Sequence, residues 1–547
     1  MSNAFLEQIL NNFSSLKDDP FCNIIRGGEC TTLTWGELEK ECQNISLNLD
    51  GLTKKGVVLI FLRHSKDLFS SFFGSMLSGN IPSFMPCPSP KQDPNLYWGS
   101  HQKLINHICP SAIISSDDMF SEMDHANLDL GSCEKISVDN LLPGEGRFHI
   151  RDSTSICLLQ HSSGTTGLKK GVALSFDAVH SHAESYGSMI SLSGEDNICS
   201  WLPLYHDMGL MACMITPAYY GIEVTHLDPF EWVSQPISIL EEMSLRSSTL
   251  TWMPNFAFEH LSNMCHPAIS NLDLSSIRAI INCSETCRPE SFDKFLQAFS
   301  RFGISEGELH CCYAMAEAVF AITQTELGEA PSRISLVRDS VNLGERVILA
   351  DDSCPESRQF IETGSILDKM EVKIVNEKRE ILDDYYVGEI AISGDFIMDG
   401  YYLNQELTSM KMDSTFYYTG DLGFFMEGKL FVLGRKDDLI IIQGRNIYAH
   451  QVEALLNSII GLKPGRNVAL GIEQNETGSQ SLVIIAEIDR SRDIPERQLK
   501  REILQVLEST INIVPRAIKI VDSGWLVKTT SGKIGRKENA KKYLGAE

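Results

Sequence analysis

The eleven residues from His161 to Gly171, H-S-S-G-T-T-G-L-K-K-G, bring small hydroxyls, glycines and lysines into one short stretch. Ser162, Ser163, Thr165 and Thr166 offer hydroxyl donors, Gly164 and Gly167 let backbone approach an anion closely, and Lys169 and Lys170 supply charge. That chemistry suits a polyphosphate. The spacing is not the G-x-x-x-x-G-K-[S/T] of a P-loop, and the V-A-L-S-F after Gly171 reads as a strand where a P-loop would open a helix. Taken alone, the stretch fits either a phosphate cradle or a Ser/Thr/Gly-rich hairpin loop that binds nothing.

The elements that must position such a loop are legible as patterns. Between Gly56 and Cys87 an apolar run Val57 to Leu62, a helix-like Asp67 to Leu77 and a second apolar run from Ile81 to Met85 spell β-α-β. Strand-like runs recur at 112–114, 155–159, 249–253 and 277–281, with helical stretches such as Pro289 to Phe302 between them. A doubly wound α/β body is the economical reading. After about residue 360 the pattern changes to short strands with tight turns at 372–375, 388–393 and 429–433, a separate β subdomain. The reading is therefore an N-terminal domain over 1–433, a boundary or hinge at 434–438, and a small α+β C-terminal lobe over 439–547.

At 547 residues the chain exceeds a single core. Its 43% hydrophobic and 22% charged residues are those of an ordinary globular protein. No run of 18 apolar residues suggests a membrane span and the start lacks a basic leader, so a cytoplasmic protein is expected. The fifteen cysteines form no C-x-x-C pair, which fits reduced packing thiols, Cys283, Cys287, Cys311 and Cys312 included. A net charge of −25 argues against nucleic acid and anionic membranes as partners. From Gly434 onward 18 Lys+Arg face 14 Asp+Glu, so a tail of net +4 is joined to a body of net −29.

Beyond the loop, five further motifs arrive in a fixed order: Trp201-Leu-Pro-Leu-Tyr-His-Asp-Met-Gly209, Cys312-Tyr-Ala-Met-Ala-Glu317, Tyr418-Thr-Gly-Asp421, Gly434-Arg-Lys-Asp-Asp-Leu439 and Thr530-Ser-Gly-Lys533. With the loop they resemble the adenylate-forming superfamily of acyl-CoA synthetases, luciferases and peptide-synthetase adenylation domains, over nearly the whole chain. Trp201 to Leu210 looks most like the fatty acyl-AMP ligase branch. The stretch from Glu326 to Thr363 looks like the insertion that in those ligases braces the two lobes and disfavours coenzyme A; a plain surface loop is the other reading.

The resemblance implies ATP and Mg2+ as cofactors, a fatty acid or related carboxylate as substrate, and an acyl carrier protein bearing phosphopantetheine as acceptor. It assigns Lys533 to the α-phosphate and substrate carboxylate, where a cation about 4 Å away is worth several kcal/mol at an effective dielectric near 20. His206 would stand beside the acyl pocket as a substrate gate, and Glu317 would bind magnesium. Ser162, Ser163, Gly164, Thr165, Thr166, Gly167 and Lys170 would hold the phosphates. Asp421 and Arg435 would take the ribose, Tyr313 would stack on adenine with Ala314 and Met315 beside it, and Ser284 and Glu285 would line the base pocket. Asp437 would be the hinge on which the tail lobe rotates. Met208, Leu210 and Phe256 are candidates for the acyl tunnel. Lys169, His161, Ala314 and Cys283 depart from the family's usual residues, which touches nucleotide fit rather than charge. An acyl-CoA synthetase, an amino-acid adenylation enzyme and an inactive nucleotide-binding homologue are the alternatives.

Overall fold

The computed structural model describes residues 3–88, 94–162, 170–267, 269, 271–337, 340–351, 354, 357–442, 445–473, 480–511, 513–528 and 534–545. A nine-stranded sheet organises the body. Six parallel strands run Leu309–Ala314, Ala279–Asn282, Leu250–Met253, Ile198–Ser200, Val224–Leu227, Pro20–Arg26 across its middle, and antiparallel strands close both edges. Beside it lies an all-parallel sheet in the order Ile81–Phe84, Val57–Phe61, Ala112–Ser115, Glu134–Ser137. The position of Val57–Phe61 explains why this strand is uninterrupted Val, Leu, Ile and Phe. Val58 and Ile60 enter one apolar cluster while Val57, Leu59 and Phe61 enter another, so both faces are covered and neither tolerates polar residues. The α/β expectation is met.

The loop of paired glycines joins strands Ile156–Ser162 and Lys170–Ser175, an antiparallel hairpin in which Ser162 faces Lys170 and His161 faces Gly171. Val172 to Ser175 of the V-A-L-S-F stretch is thus strand, while its Phe176 already opens helix Phe176–Met189 on a Ser175 cap. Met370–Val375, Gly388–Gly394, Tyr417–Met426 and Lys429–Arg435 form the four-stranded antiparallel β subdomain. Within the expected insertion, Arg333–Val337 and Ser357–Ile361 pair as a two-stranded ribbon. Its Leu336 and Phe360 join Val341, Val347, Leu422, Phe424, Phe431 and Leu433 in one apolar cluster, and Tyr448 from beyond the 434–438 boundary completes it, 3% exposed.

The tail carries the pair Leu439–Ile442 and Arg445–Tyr448, and a sheet of Leu462–Glu473, Gln480–Ile488 and Ala517–Val521. Helix Glu496–Ile511 buries Leu499, Ile503 and Leu507, a stripe spaced four residues apart that faces a separate core. Among the described residues no helix is long and apolar enough to cross a membrane. None of the fifteen cysteines is bridged, and Cys283, Cys311 and Cys312 are buried.

Candidate active site

Asp421 and Arg435, far apart as motifs, are directly opposed across two antiparallel strands. Arg435 Nε lies 3.4 Å from Asp421 Oδ1, and the Tyr313 hydroxyl donates to Oδ2 at 2.7 Å. Asp421 is buried while the Arg435 side chain remains 63% exposed, so the pair is a solvent-facing cation over a covered carboxylate. Burial raises the Asp421 pKa above the usual aspartate range, with Arg435 and Tyr313 pulling the other way. Both carboxylate oxygens are engaged but each keeps lone-pair capacity for another donor. Thr419 Oγ1 accepts the Asp421 amide at 3.0 Å, and Gly420 donates its amide to Glu389 at 3.0 Å, which fixes the bend that aims Asp421.

Glu317 sits in a tight turn after strand Leu309–Ala314. Val319 has φ +62° and ψ −62°, and the Phe320 amide donates to the Ala318 carbonyl at 2.6 Å, a γ-turn with positive φ at a buried β-branched residue. Such a conformation costs roughly 1–3 kcal/mol and persists only where surrounding packing enforces it. The enforcing segment is 398–402. Met398 donates its amide to the Glu317 carbonyl, while Asp399 and Tyr402 donate theirs to Ala173 and Gly171 on the loop's outgoing strand. From that same segment Tyr401 donates its hydroxyl to Glu317 Oε1 at 2.7 Å and lies 3.1 Å from the Tyr417 hydroxyl. The Lys170 ammonium sits 5.3 Å from the Tyr401 ring centroid. Burial lowers the Lys170 pKa, Glu317 opposes that shift, and Lys411, Arg435 and Lys537 add to it, so these cations share one neighbourhood.

Glu317 fits Mg2+. A hard cation takes oxygen ligands, often one or two carboxylates plus phosphate oxygens and water, and Glu317 is a part-exposed carboxylate whose Oε1 is oriented by Tyr401. Among the described residues no cluster of three or more His, Cys, Asp or Glu could cage a metal alone. The substrate would have to complete the coordination.

His206 occupies a turn that Trp201 anchors by stacking on Trp232, with centroids 3.5 Å apart and planes 6° apart. Its Nδ1 lies 2.5 Å from Asp207 Oδ1 but out of line for a hydrogen bond. Gly209 is obligatory, since a Cβ there would lie 2.4 Å from the Pro203 carbonyl. The turn leads into a π-helix, Met208–Ile215, entirely buried. Met208 Sδ is 4.0 Å from Ser284 Oγ, which brings the His206 turn against the Cys283 to Glu285 segment. Ser284 takes φ +67°, and Glu285 accepts the Phe256 amide at 2.9 Å, pinning that segment to helix Asn255–Met264. Met208 and Leu210 are buried, whereas Phe256 is 44% exposed and edge-on to Trp201 and Trp232, so it sits at a surface rather than deep in a tunnel.

Ser163, Gly164, Thr165, Thr166, Gly167 and Lys533 lie outside the described residues, as does the Ser162 side chain. The ends of the segment bearing Lys533 are placed. Lys528 and Ile534 form a β-bridge, Glu487 accepts the Gly524 and Leu526 amides, and the buried Asn539 bonds Val527 through both its amide donor and acceptor. Asp437 accepts from Lys537 Nζ at 3.1 Å, and Arg536 spans Asp438 and Glu453 at 2.8 and 2.6 Å. The structure thus unites Tyr313, Asp421 and Arg435 in one group and Glu317, Lys170, Tyr401 and Tyr417 in a second, and strand Tyr417–Met426 carries members of both. Tyr401, Tyr417 and Lys411 escape a reading of the sequence, because none lies in a spaced motif that marks it, and Thr419 stands inside Tyr418 to Asp421 without a role assigned to it.

The profile of the AMP-binding enzyme family matches residues 16–402. The medium-chain-fatty-acid--[acyl-carrier-protein] ligase JamA of Moorena producens is 26% identical over 543 residues, covering 94% of this chain and 90% of its own. The long-chain-fatty-acid--AMP ligase FadD32 of Mycolicibacterium smegmatis is 26% identical over 575 residues, covering 95% and 90%. A solved chain from structural and functional studies of fatty acyl-adenylate ligases from E. coli and L. pneumophila superposes with a TM-score of 0.91 at 23% identity, over 99% of this chain and 98% of that one.

Proposed function

The chain belongs to the AMP-binding enzymes, and on that premise we propose that it activates a fatty acid with ATP and passes the acyl group to the phosphopantetheine thiol of a cytoplasmic acyl carrier protein. In the first step a carboxylate oxygen attacks the α-phosphorus, the bond to the bridging oxygen breaks, and pyrophosphate leaves with its electron pair. In the second, the carrier's thiolate attacks the acyl carbonyl carbon and AMP leaves. Reactions of this kind are promoted by positioning and charge rather than covalent help.

The observation that carries the reading is that strand Tyr417–Met426 carries both Asp421, bonded to Tyr313 and paired with Arg435, and Tyr417, which lies beside the Tyr401 hydroxyl bonded to Glu317, with Lys170 near the Tyr401 ring. Asp421 accepts from ribose hydroxyls, Arg435 donates beside it, and Tyr313, Ala314 and Met315 with Ser284 and Glu285 enclose the base. The loop 162–170 receives the phosphates that leave as pyrophosphate. Glu317 would hold Mg2+, which when bound neutralises charge on the phosphate oxygens. Lys533 approaches the α-phosphate when the tail lobe turns about Asp437, and His206 gates the acyl entrance.

The carrier as acceptor is supported by the name of the JamA relative. Fatty-acid-dependent exchange of pyrophosphate into ATP tests the first step. Exchange with fatty acids and none with amino acids is expected, and Lys533→Ala should slow it by about 10² to 10³. Exchange driven by amino acids instead would overturn the reading.

A further inference from the structure

We infer that His182 is a positioning residue for Glu317, acting through the backbone of the 315–321 turn; the inference rests on the proposed adenylation activity. His182 Nε2 accepts the Ala321 amide at 3.0 Å. Ala321 stands where the ladder between Leu309–Ala314 and Ala321–Gln324 slips register, between Tyr313 and Ala314. A slipped ladder leaves amides for other acceptors, and here the imidazole takes one. The turn otherwise closes on itself. Ala318 donates to Met315, Val319 to Ala316, Phe320 to Ala318, and Met315 to Phe320.

Among the described residues, two hydrogen bonds from outside hold the backbone of this strained unit. One is the Met398 amide on the Glu317 carbonyl; the other is His182. His182 rides on helix Phe176–Met189, which continues without a break from the strand that begins at Lys170. Its ring is 1% exposed and packed among Tyr186, Phe320 and Phe396 at 5.6, 6.1 and 5.2 Å. Burial lowers its pKa to about 3, so the acceptor nitrogen stays unprotonated. Besides segment 398–402, a buried, neutral imidazole on the helix that follows the hairpin therefore registers the Glu317 turn to it, and the position of the carboxylate relative to Lys170 depends on that contact.

The test uses the full chain and α,β-methylene-ATP, whose affinity is measured calorimetrically with Mg2+ and with EDTA. His182→Phe keeps a ring in an aromatic pocket and removes the acceptor; His182→Gln restores one. The Phe variant should lose about tenfold of the affinity gained from Mg2+, the worth of one buried hydrogen bond, while its EDTA affinity is unmoved. The Gln variant should recover most of the gain. Added to Glu317→Gln, His182→Phe should cause no further loss, since both act on one carboxylate. Amide exchange across 315–321 in the nucleotide-free Phe variant should quicken by a similar factor. If the Phe variant does not fold, His182→Asn, too short to reach Ala321, takes its place under the same criteria. An undiminished Mg2+ gain, or equal losses with Mg2+ and EDTA, overturns the role of His182 alone. A wild-type chain that gains nothing from Mg2+ overturns the adenylation reading on which it rests.

Discussion

Asp421 is a carboxylate held in an environment that disfavours its charge, and that has opposite consequences for stability and for binding. Its folded pKa lies above the unfolded value of about 3.9. The stability it contributes is present below that unfolded value and is lost as pH rises through the raised one. Nucleotide affinity should run the other way, because the proposed role of accepting from ribose hydroxyls is served best by the ionised form. Asp421→Asn should therefore weaken ATP binding by about tenfold or more, flatten the acid limb of the affinity profile, and leave the neutral-pH Tm no lower than wild type. Calorimetric titration across pH and thermal denaturation check the two halves separately; a large drop in Tm would mean that Arg435 depends on Asp421 more than Asp421 suffers from burial. At Glu317, Tyr401→Phe removes a charge-assisted donor at 2.7 Å. A loss of about 1.5 kcal/mol, or roughly tenfold in Mg-ATP affinity, is expected.

Elements explain why some of this was legible and some was not. Tyr313, Glu317, Asp421 and Arg435 stand in short motifs whose spacing survives as local turns, so one reading along the chain finds them. The hairpin carrying the glycine-rich loop was legible because V-A-L-S-F has strand composition. The π-helix Met208–Ile215 was not, since eight consecutive apolar residues carry no period that separates one helical form from another. Tyr401 meets Glu317, and His182 meets Ala321, only after sheets and crossovers bring together residues separated by 84 and 139 positions. At this scale Gly209→Ala is informative. The added Cβ would strike the Pro203 carbonyl and must unseat the turn that presents His206. Fatty-acid-dependent exchange should fall about tenfold or more, on the scale that a misplaced group costs, with ATP affinity little changed. An equal fall in ATP affinity would place the turn in the nucleotide site instead.

At the scale of the molecule, a tail of net +4 is attached to a body of net −29, and Leu336, Val341, Val347 and Phe360 of the body share an apolar cluster with the tail's Tyr448. Charge separated in this way favours an acidic partner on the tail and is screened over about 8 Å at physiological ionic strength. Raising salt should increase the KM for carrier protein while leaving the KM for ATP nearly unmoved; parallel changes would remove electrostatics from docking. Tyr448→Ala removes a large buried side chain and should speed proteolysis at 434–438, with the body intact, as limited digestion would show. The proposed function sends the acyl-adenylate to a protein-bound thiol. Mass spectrometry of the products formed from Mg-ATP and a panel of fatty acids, with coenzyme A in one reaction and pantetheinylated carrier protein in another, measures it directly. Acyl-adenylate that loads the carrier and leaves coenzyme A unacylated is the predicted result; efficient acyl-CoA formation, or no acyl-adenylate at all, would contradict it.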